Sequence, residues 1–181
     1  MPVKTENQIA QSLIGFINNF LTNKNIDGWV VRQGNQPTMT GFVDKSIYVT
    51  RVSSRRNGWQ AHRDKWNEDL KQMVHSEEYI QEVLFQISAF KKRNPSDINE
   101  LTSGDILNSL MTFLQGSAGI KAFRDIGFQT YRLTELREPV LVDDSELYEK
   151  IPSFDIYVIL LQNEEDDIGY TDKYNINLKG I

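Results

Sequence analysis

Apolar side chains recur at three- and four-residue steps near the start of the chain. This spacing places them on one face of an α-helix, and polar residues such as Gln8 and Ser12 occupy much of the other side. The apolar positions are Ile9, Leu13, Phe16, Ile17, Phe20 and Leu21. We therefore predict an amphipathic helix over Glu6–Thr22 that packs on a core, with docking onto a partner as the alternative.

Runs rich in β-branched and aromatic residues follow and predict strands. They are Trp29–Arg32, Ser46–Val52 and Tyr79–Lys92. Apolar residues alternate onto both faces of the third run, which is typical of a central strand. The dipeptide Asn57-Gly58 predicts a hairpin turn, so Trp59–Asp69 is expected to form the return strand. A helix over Asp64–Val74 is the alternative for that segment.

The second half of the sequence predicts a helical region and then more strands. Thr102 or Ser103 can cap a helix with Asp105 in its first turn, where the helix dipole favours negative charge. Gly116 is expected to end or kink this helix, and Gly127 to stop the helical region. The strands predicted next are Phe128–Thr134, a brief Val140–Val142 and Phe154–Gln162. This order of elements indicates an α+β fold.

The length of 181 residues suits one domain, which we place over residues 1–163. Residues 164–181 are charged and polar, yet apolar and aromatic residues recur among them at even spacing. We predict a C-terminal arm that becomes a strand against a neighbour, with Ile168, Tyr170 and Tyr174 as candidate interface residues.

Composition narrows the class of protein. The chain has no cysteine, which removes disulfides and thiol chemistry and fits assembly in a reducing cytoplasm. Its start lacks the pattern of a signal peptide, and no run of about 18 apolar residues predicts a membrane span. The net charge of −5 is opposite in sign to that of most dedicated nucleic-acid binders. A basic cluster at Arg51, Arg55 and Arg56 could still meet phosphates or a partner's acids.

Candidate catalytic chemistry is sparse. His62, Asp64, Glu68 and Asp69 lie close in sequence and could suggest a metal-dependent nuclease, but a solvated polar face accounts for the same residues. Gln33–Gly41 lacks the Gly-Lys-Ser/Thr ending of a phosphate-binding loop. We therefore assign no catalytic, cofactor-binding or metal-binding residues and expect no cofactor.

The order of elements resembles a known family. The segments EVLFQISAFKKR, ILNSLMTFLQGSAGIKAF and RDIGFQTYRLTELREPVLVDDSELYEKIPSFDIYVIL, preceded by the first helix and the early strands, are similar to neck or tail terminator proteins of contractile-tailed bacteriophages. The resemblance covers Ile9 to Gln162. Its most specific part is the pair of strands around an acidic connection after the long helix.

The resemblance implies a mixed or antiparallel sheet packed against helices and a homohexameric ring. It also implies a structural virion protein, assembled in the host cytoplasm, that caps the head-proximal end of the tail and ends tail polymerisation. Its partners would be the tail tube and sheath proteins and the head-completion or connector proteins, with phage DNA passing through the channel without sequence-specific binding. No membrane and no catalytic residues are implied.

Three alternatives remain at this point. The first is another ring protein of the same neck, such as a head-completion or connector protein. The second is a metal-dependent nuclease built around His62, Asp64 and Glu68. The third is a small cellular binding module.

Overall fold

The structure, a computed structural model, describes residues 4–34, 43–69, 72–92, 100–142 and 148–168. Three helices and seven strands lie in these ranges. The helices are α1 (Glu6–Asn23), α2 (Ser103–Gln115) and α3 (Ser117–Asp125). The strands are β1 (Val30–Gln33), β2 (Ser46–Asn67), β3 (Gln72–Phe90), β4 (Gln129–Leu133), β5 (Val140–Val142), β6 (Tyr148–Lys150) and β7 (Ser153–Ile168).

The main sheet has five strands in the order β1-β2-β3-β7-β4. β1 runs parallel to β2, and the other neighbouring pairs are antiparallel, so the sheet is mixed. A separate two-stranded sheet joins β5 and β6. The predicted α+β class, with a mixed sheet packed against helices, is confirmed.

The helices cover the sheet through one apolar core. Each of the two longer helices begins with a capping box, at Thr5 with Gln8 and at Thr102 with Asp105. The hydrogen bonds that Thr102 donates hold the pKa of the Asp105 carboxyl below its usual value. Phe123 of α3 is buried and lies edge-on to Phe16 of α1, with 5.0 Å between ring centroids. The core therefore joins all three helices to the sheet.

Gly119 sets how closely α3 approaches α2. A Cβ atom added at Gly119 would overlap the backbone carbonyl of Phe113. We expect Gly119→Ala to lower the free energy of unfolding by roughly 1–3 kcal/mol, because α3 must move off α2. Gly15→Ala in α1 is the matched control, since nothing lies within 4 Å of its added Cβ. It should raise stability by about 0.5–1 kcal/mol, and urea unfolding of both variants measures the difference. Equal effects would contradict this role of Gly119.

The structure corrects the prediction for the middle of the chain. β2 does not turn at Asn57-Gly58 but continues to Asn67, and no helix forms over the described part of Asp64–Val74. Gly58 instead adopts a positive φ of 82° inside a bulge. Pairing with β3 overrides the local turn propensity of Asn57-Gly58, because β3 begins at Gln72 and supplies hydrogen-bonding partners along the rest of β2.

Candidate assembly site

Three strands continue together beyond the helix-covered body of the protein. Ser46–Val49 of β2 are buried, whereas the residues of β2 from Arg51 to Trp59 are exposed. β3 and β7 stay paired with each other as far as Met73 and Ile168. We call the segments 52–67, 72–81 and 160–168 the extension. Its ten residues of β3 span about 33 Å at the usual rise of 3.3 Å per residue.

Both outer edges of the extension lack a neighbouring strand within the described ranges. β1 pairs with β2 only over Ser46–Val49. β4 pairs with β7 only over Ile156–Ile159. Unpaired edges of this length present a row of backbone donors and acceptors that can pair with another chain.

The two edge strands of the extension carry opposite charge. The β2 segment 52–67 has four basic residues against the single acid Asp64. The basic residues are Arg55, Arg56, Arg63 and Lys65. The β7 segment 160–168 has four acidic residues and no basic one. These acids are Glu164, Glu165, Asp166 and Asp167. The extension is therefore polarised from a basic edge strand to an acidic edge strand.

Two of the basic side chains are held by neighbours on β3. Arg55 Nε lies 2.6 Å from Oε1 of Glu82, whose carboxylate is buried. The Arg56 guanidinium lies over the Tyr79 ring, 4.2 Å from its centroid. Arg63 and Lys65 lie farther out and are exposed.

Apolar side chains also face solvent on the extension. Trp59 is 99% exposed and Leu161 is 63% exposed. Trp59 lies in the bulge, where Gly58, Trp59 and Gln60 lie opposite the single residue Tyr79. Bulges redirect side chains, and an exposed Trp is a frequent anchor of protein interfaces. This surface therefore suits association with another protein.

Four polar side chains meet on the β2–β3 pair near its far end. His62 lies opposite Glu77, and Asp64 lies opposite His75. His75 Nδ1 is 2.5 Å from Asp64 Oδ1, and His75 Nε2 is 3.5 Å from Glu77 Oε1. The hydrogen bond to Asp64 raises the pKa of His75 above its usual value, and Glu77 acts in the same direction.

The structure brings together only some of the residues that suggested a nuclease from the sequence. His62 and Asp64 join the cluster, but within the described ranges Glu68 and Asp69 are not part of the group that could hold a metal ion. His75 and Glu77 were missed. The signal for them was the period-two spacing of both pairs, His62 with Asp64 and His75 with Glu77, but the sequence alone did not show that these segments face each other.

The predicted interface residues of the C-terminal arm are only partly described. Ile168 is the last residue of β7 and pairs with Met73 of the same chain. Tyr170 and Tyr174 lie outside the described residues.

A comparison with protein families decides the class of protein. The family of the E217 gateway protein gp29 matches residues 8–168, from α1 to the end of the extension. The chain belongs to this family. It is therefore a structural protein of the phage head–tail neck, located in the virion. No curated protein matches the chain significantly.

Family membership confirms the phage-neck part of the sequence prediction and is consistent with a non-enzymatic role. It supports partners among the head and tail components. Among the described helices, none combines the length and apolar character needed to cross a bilayer. The contractile tail, the termination of tail growth and the hexamer stay predictions.

Proposed function

We propose that this protein forms a closed ring that caps the head-proximal end of a contractile phage tail, ends growth of the tail and joins it to the head. Membership in the gateway family supports the location. The single observation that carries the ring is the extension, which has two edges without a neighbouring strand in the described part of the chain and edge strands of opposite charge.

The strand directions allow the ring to close. β2 and β7 are both antiparallel to β3, so they run parallel to each other on opposite edges of the extension. Rotation about a common axis then brings β7 of one copy beside β2 of the next in a parallel arrangement. This contact is heterologous, because each copy uses two different surfaces, and such contacts form rings when the rotation closes. The closed product is a barrel with three strands from each copy and no free edges.

Charge favours this pairing over its alternatives. A basic β2 strand next to an acidic β7 strand attracts, whereas β2 against β2 or β7 against β7 brings like charges together. Burial of exposed apolar side chains such as Leu161 and Trp59 adds to the same contact. The edges therefore specify a head-to-tail order of copies around the ring.

Further parts of the proposal follow the resemblance to tail terminators. The ring is a homohexamer assembled in the host cytoplasm, and it meets the tail tube and sheath on one side and head-completion proteins on the other. Phage DNA passes through its channel without sequence-specific binding, and the net charge of −5 suits a channel that does not retain DNA. The C-terminal arm, with Ile168, Tyr170 and Tyr174 as candidate interface residues, becomes a strand against a neighbouring copy or partner.

The test is a tube-growth assay with the tail tube protein of the same phage. We expect small amounts of the protein to stop elongation, and electron micrographs to show one ring at one end of each tube. A charge-reversed β2 variant, Arg63→Glu/Lys65→Glu, is the control that should not stop growth. Tubes of unchanged length and without rings would contradict capping.

The family's gateway designation supports a second candidate, a connector ring that links head and tail without ending tail growth. In the same assay, rings bound to tube ends that continue to elongate would favour this connector. Rings that bind only the head-completion proteins would favour it as well.

A further inference from the structure

We propose that the extension carries a binding site for a divalent transition-metal ion, with Zn²⁺ as the best match, formed by His62, His75 and Glu77. Two imidazoles and a carboxylate are a ligand set that Zn²⁺ accepts readily. The inference goes beyond the proposed ring function and does not depend on it, because all three residues belong to one chain.

The separations between the ligand atoms fit a tetrahedral ion. Zn–N and Zn–O distances of about 2.0–2.1 Å place neighbouring ligands of a tetrahedron about 3.3–3.4 Å apart. Glu77 Oε1 lies 3.4 Å from His62 Nδ1 and 3.5 Å from His75 Nε2. One ligand atom from each of the three residues lies within 4.8 Å of the other two. Small side-chain movements therefore suffice to coordinate an ion.

The surrounding hydrogen bonds orient two of the ligands. Asp64 Oδ1 is 2.5 Å from His75 Nδ1, so Nδ1 can donate a hydrogen bond to the carboxylate. A metal ion that displaces the proton from Nε2 then finds its lone pair on the side of Glu77. Gln60 donates from Nε2 to Oε2 of Glu77, which leaves Oε1 facing the two histidines. A carboxylate behind a metal-binding histidine is a recurring arrangement in metal sites, and it fixes both tautomer and ring orientation.

The strands supply the geometry of the site. His62 and Glu77 are direct cross-strand partners. His75 lies two positions before Glu77 in β3 and is therefore on the same face of the sheet. The ligands come from two strands, so a bound ion ties β2 to β3 where the helices no longer cover the sheet. The fourth coordination position is open to water or to a donor from a docked partner. A clamp of this kind would stiffen the outer part of the extension.

The test is calorimetric titration of the full-length protein with ZnCl₂ after removal of metal with a chelator. We expect one ion per chain with micromolar or tighter affinity. His75→Gln and Glu77→Gln should each weaken binding on the order of 100-fold or more, and Asp64→Asn, which removes the orienting carboxylate, by about 10–100-fold. Glu78→Gln is the matched control, because residue 78 is adjacent to Glu77 but faces the other side of the sheet. It should bind Zn²⁺ as the unaltered protein does.

Visible absorption of bound Co²⁺ gives a second readout, since a tetrahedral site produces intense bands. Circular dichroism checks that each variant is folded, and the titration of the unaltered protein stands even if one variant is not. No binding below millimolar Zn²⁺ would overturn the proposal. Binding that His75→Gln and Glu77→Gln leave unchanged would overturn it as well, and the cluster would then be an ion-pair group only.

Discussion

Arg63→Glu/Lys65→Glu is expected to abolish ring formation while the monomer stays folded. Both side chains are exposed on the outer edge strand of the extension. Reversal turns an attractive contact with the acidic β7 strand of the next copy into a repulsive one, which we expect to weaken association on the order of 100-fold or more. Arg55 is left intact because its removal would take an ion-pair partner from the buried Glu82 carboxylate and would therefore disturb the monomer itself. Mass photometry across a range of protein concentrations measures the change.

The complementary variant is Glu165→Lys/Asp167→Lys on β7, which should also fail to form rings alone. A mixture of the two variants should recover them, because each contact in an alternating ring then joins opposite charges. Alternation closes only with an even number of copies, so recovery in the mixture also supports a hexamer over rings of odd number. The control is Lys92→Glu/Lys121→Glu. It changes the net charge by the same amount as Arg63→Glu/Lys65→Glu, but at exposed positions outside the extension. Loss of rings in this control would show that total charge, and not the edge, controls assembly.

Phe123→Ala is expected to cost the monomer about 3–5 kcal/mol of unfolding free energy, a large share of the roughly 5–15 kcal/mol typical of a domain. Phe123 is 1% exposed, and its ring contacts those of Phe16 and Phe128, with centroid distances of 5.0 and 5.5 Å. Removal of the Phe123 side chain would leave a cavity and would remove the contacts of α3 with α1 and with Phe128, the residue before β4. Denaturant unfolding followed by circular dichroism measures the loss.

The matched control for Phe123→Ala is Ile120→Ala in the same helix. Ile120 is 43% exposed, so its truncation should cost less than about 1 kcal/mol. Similar losses in both variants would contradict the view that Phe123 joins the helices to the sheet.

The body of the fold was predictable because its signals are local. Apolar periodicity and capping residues placed α1 and α2 within about one residue of their observed ends. The strands at the centre of the sheet were predicted from alternating or continuous apolar residues, because they are covered by helices. β6 was missed, since three polar and aromatic residues that follow acidic residues in the sequence give no periodic pattern.

The extension was not predictable in the same way. Its β2 segment, VSSRRNGWQAHRDKWN, has no buried face, so its extended conformation depends on pairing with β3 and not on a hydrophobic pattern. The acidic end of β7 was predicted as part of a C-terminal arm that becomes a strand against a neighbour, whereas residues up to Ile168 pair with β3 of the same chain. The histidine cluster depends on register, because His62 and Glu77 are 15 positions apart and become neighbours only when Asn57-Gly58 forms a bulge instead of a turn.

Disulfide trapping tests the ring contact most directly, because the chain has no cysteine of its own. Leu161→Cys on β7 would be combined with Ser53→Cys, Asn57→Cys or Ala61→Cys on β2, which lie on the same face of the sheet and sample the stagger between copies. Within one chain β3 separates the two edges by two strand spacings, about 9.6 Å, which is too far for a disulfide. Our prediction is that oxidation of at least one assembled double variant gives covalent species up to six times the 20.9 kDa chain, while each single variant stays at chain mass. Assembled double variants without any link between chains, or single variants that link like edges into dimers, would contradict it.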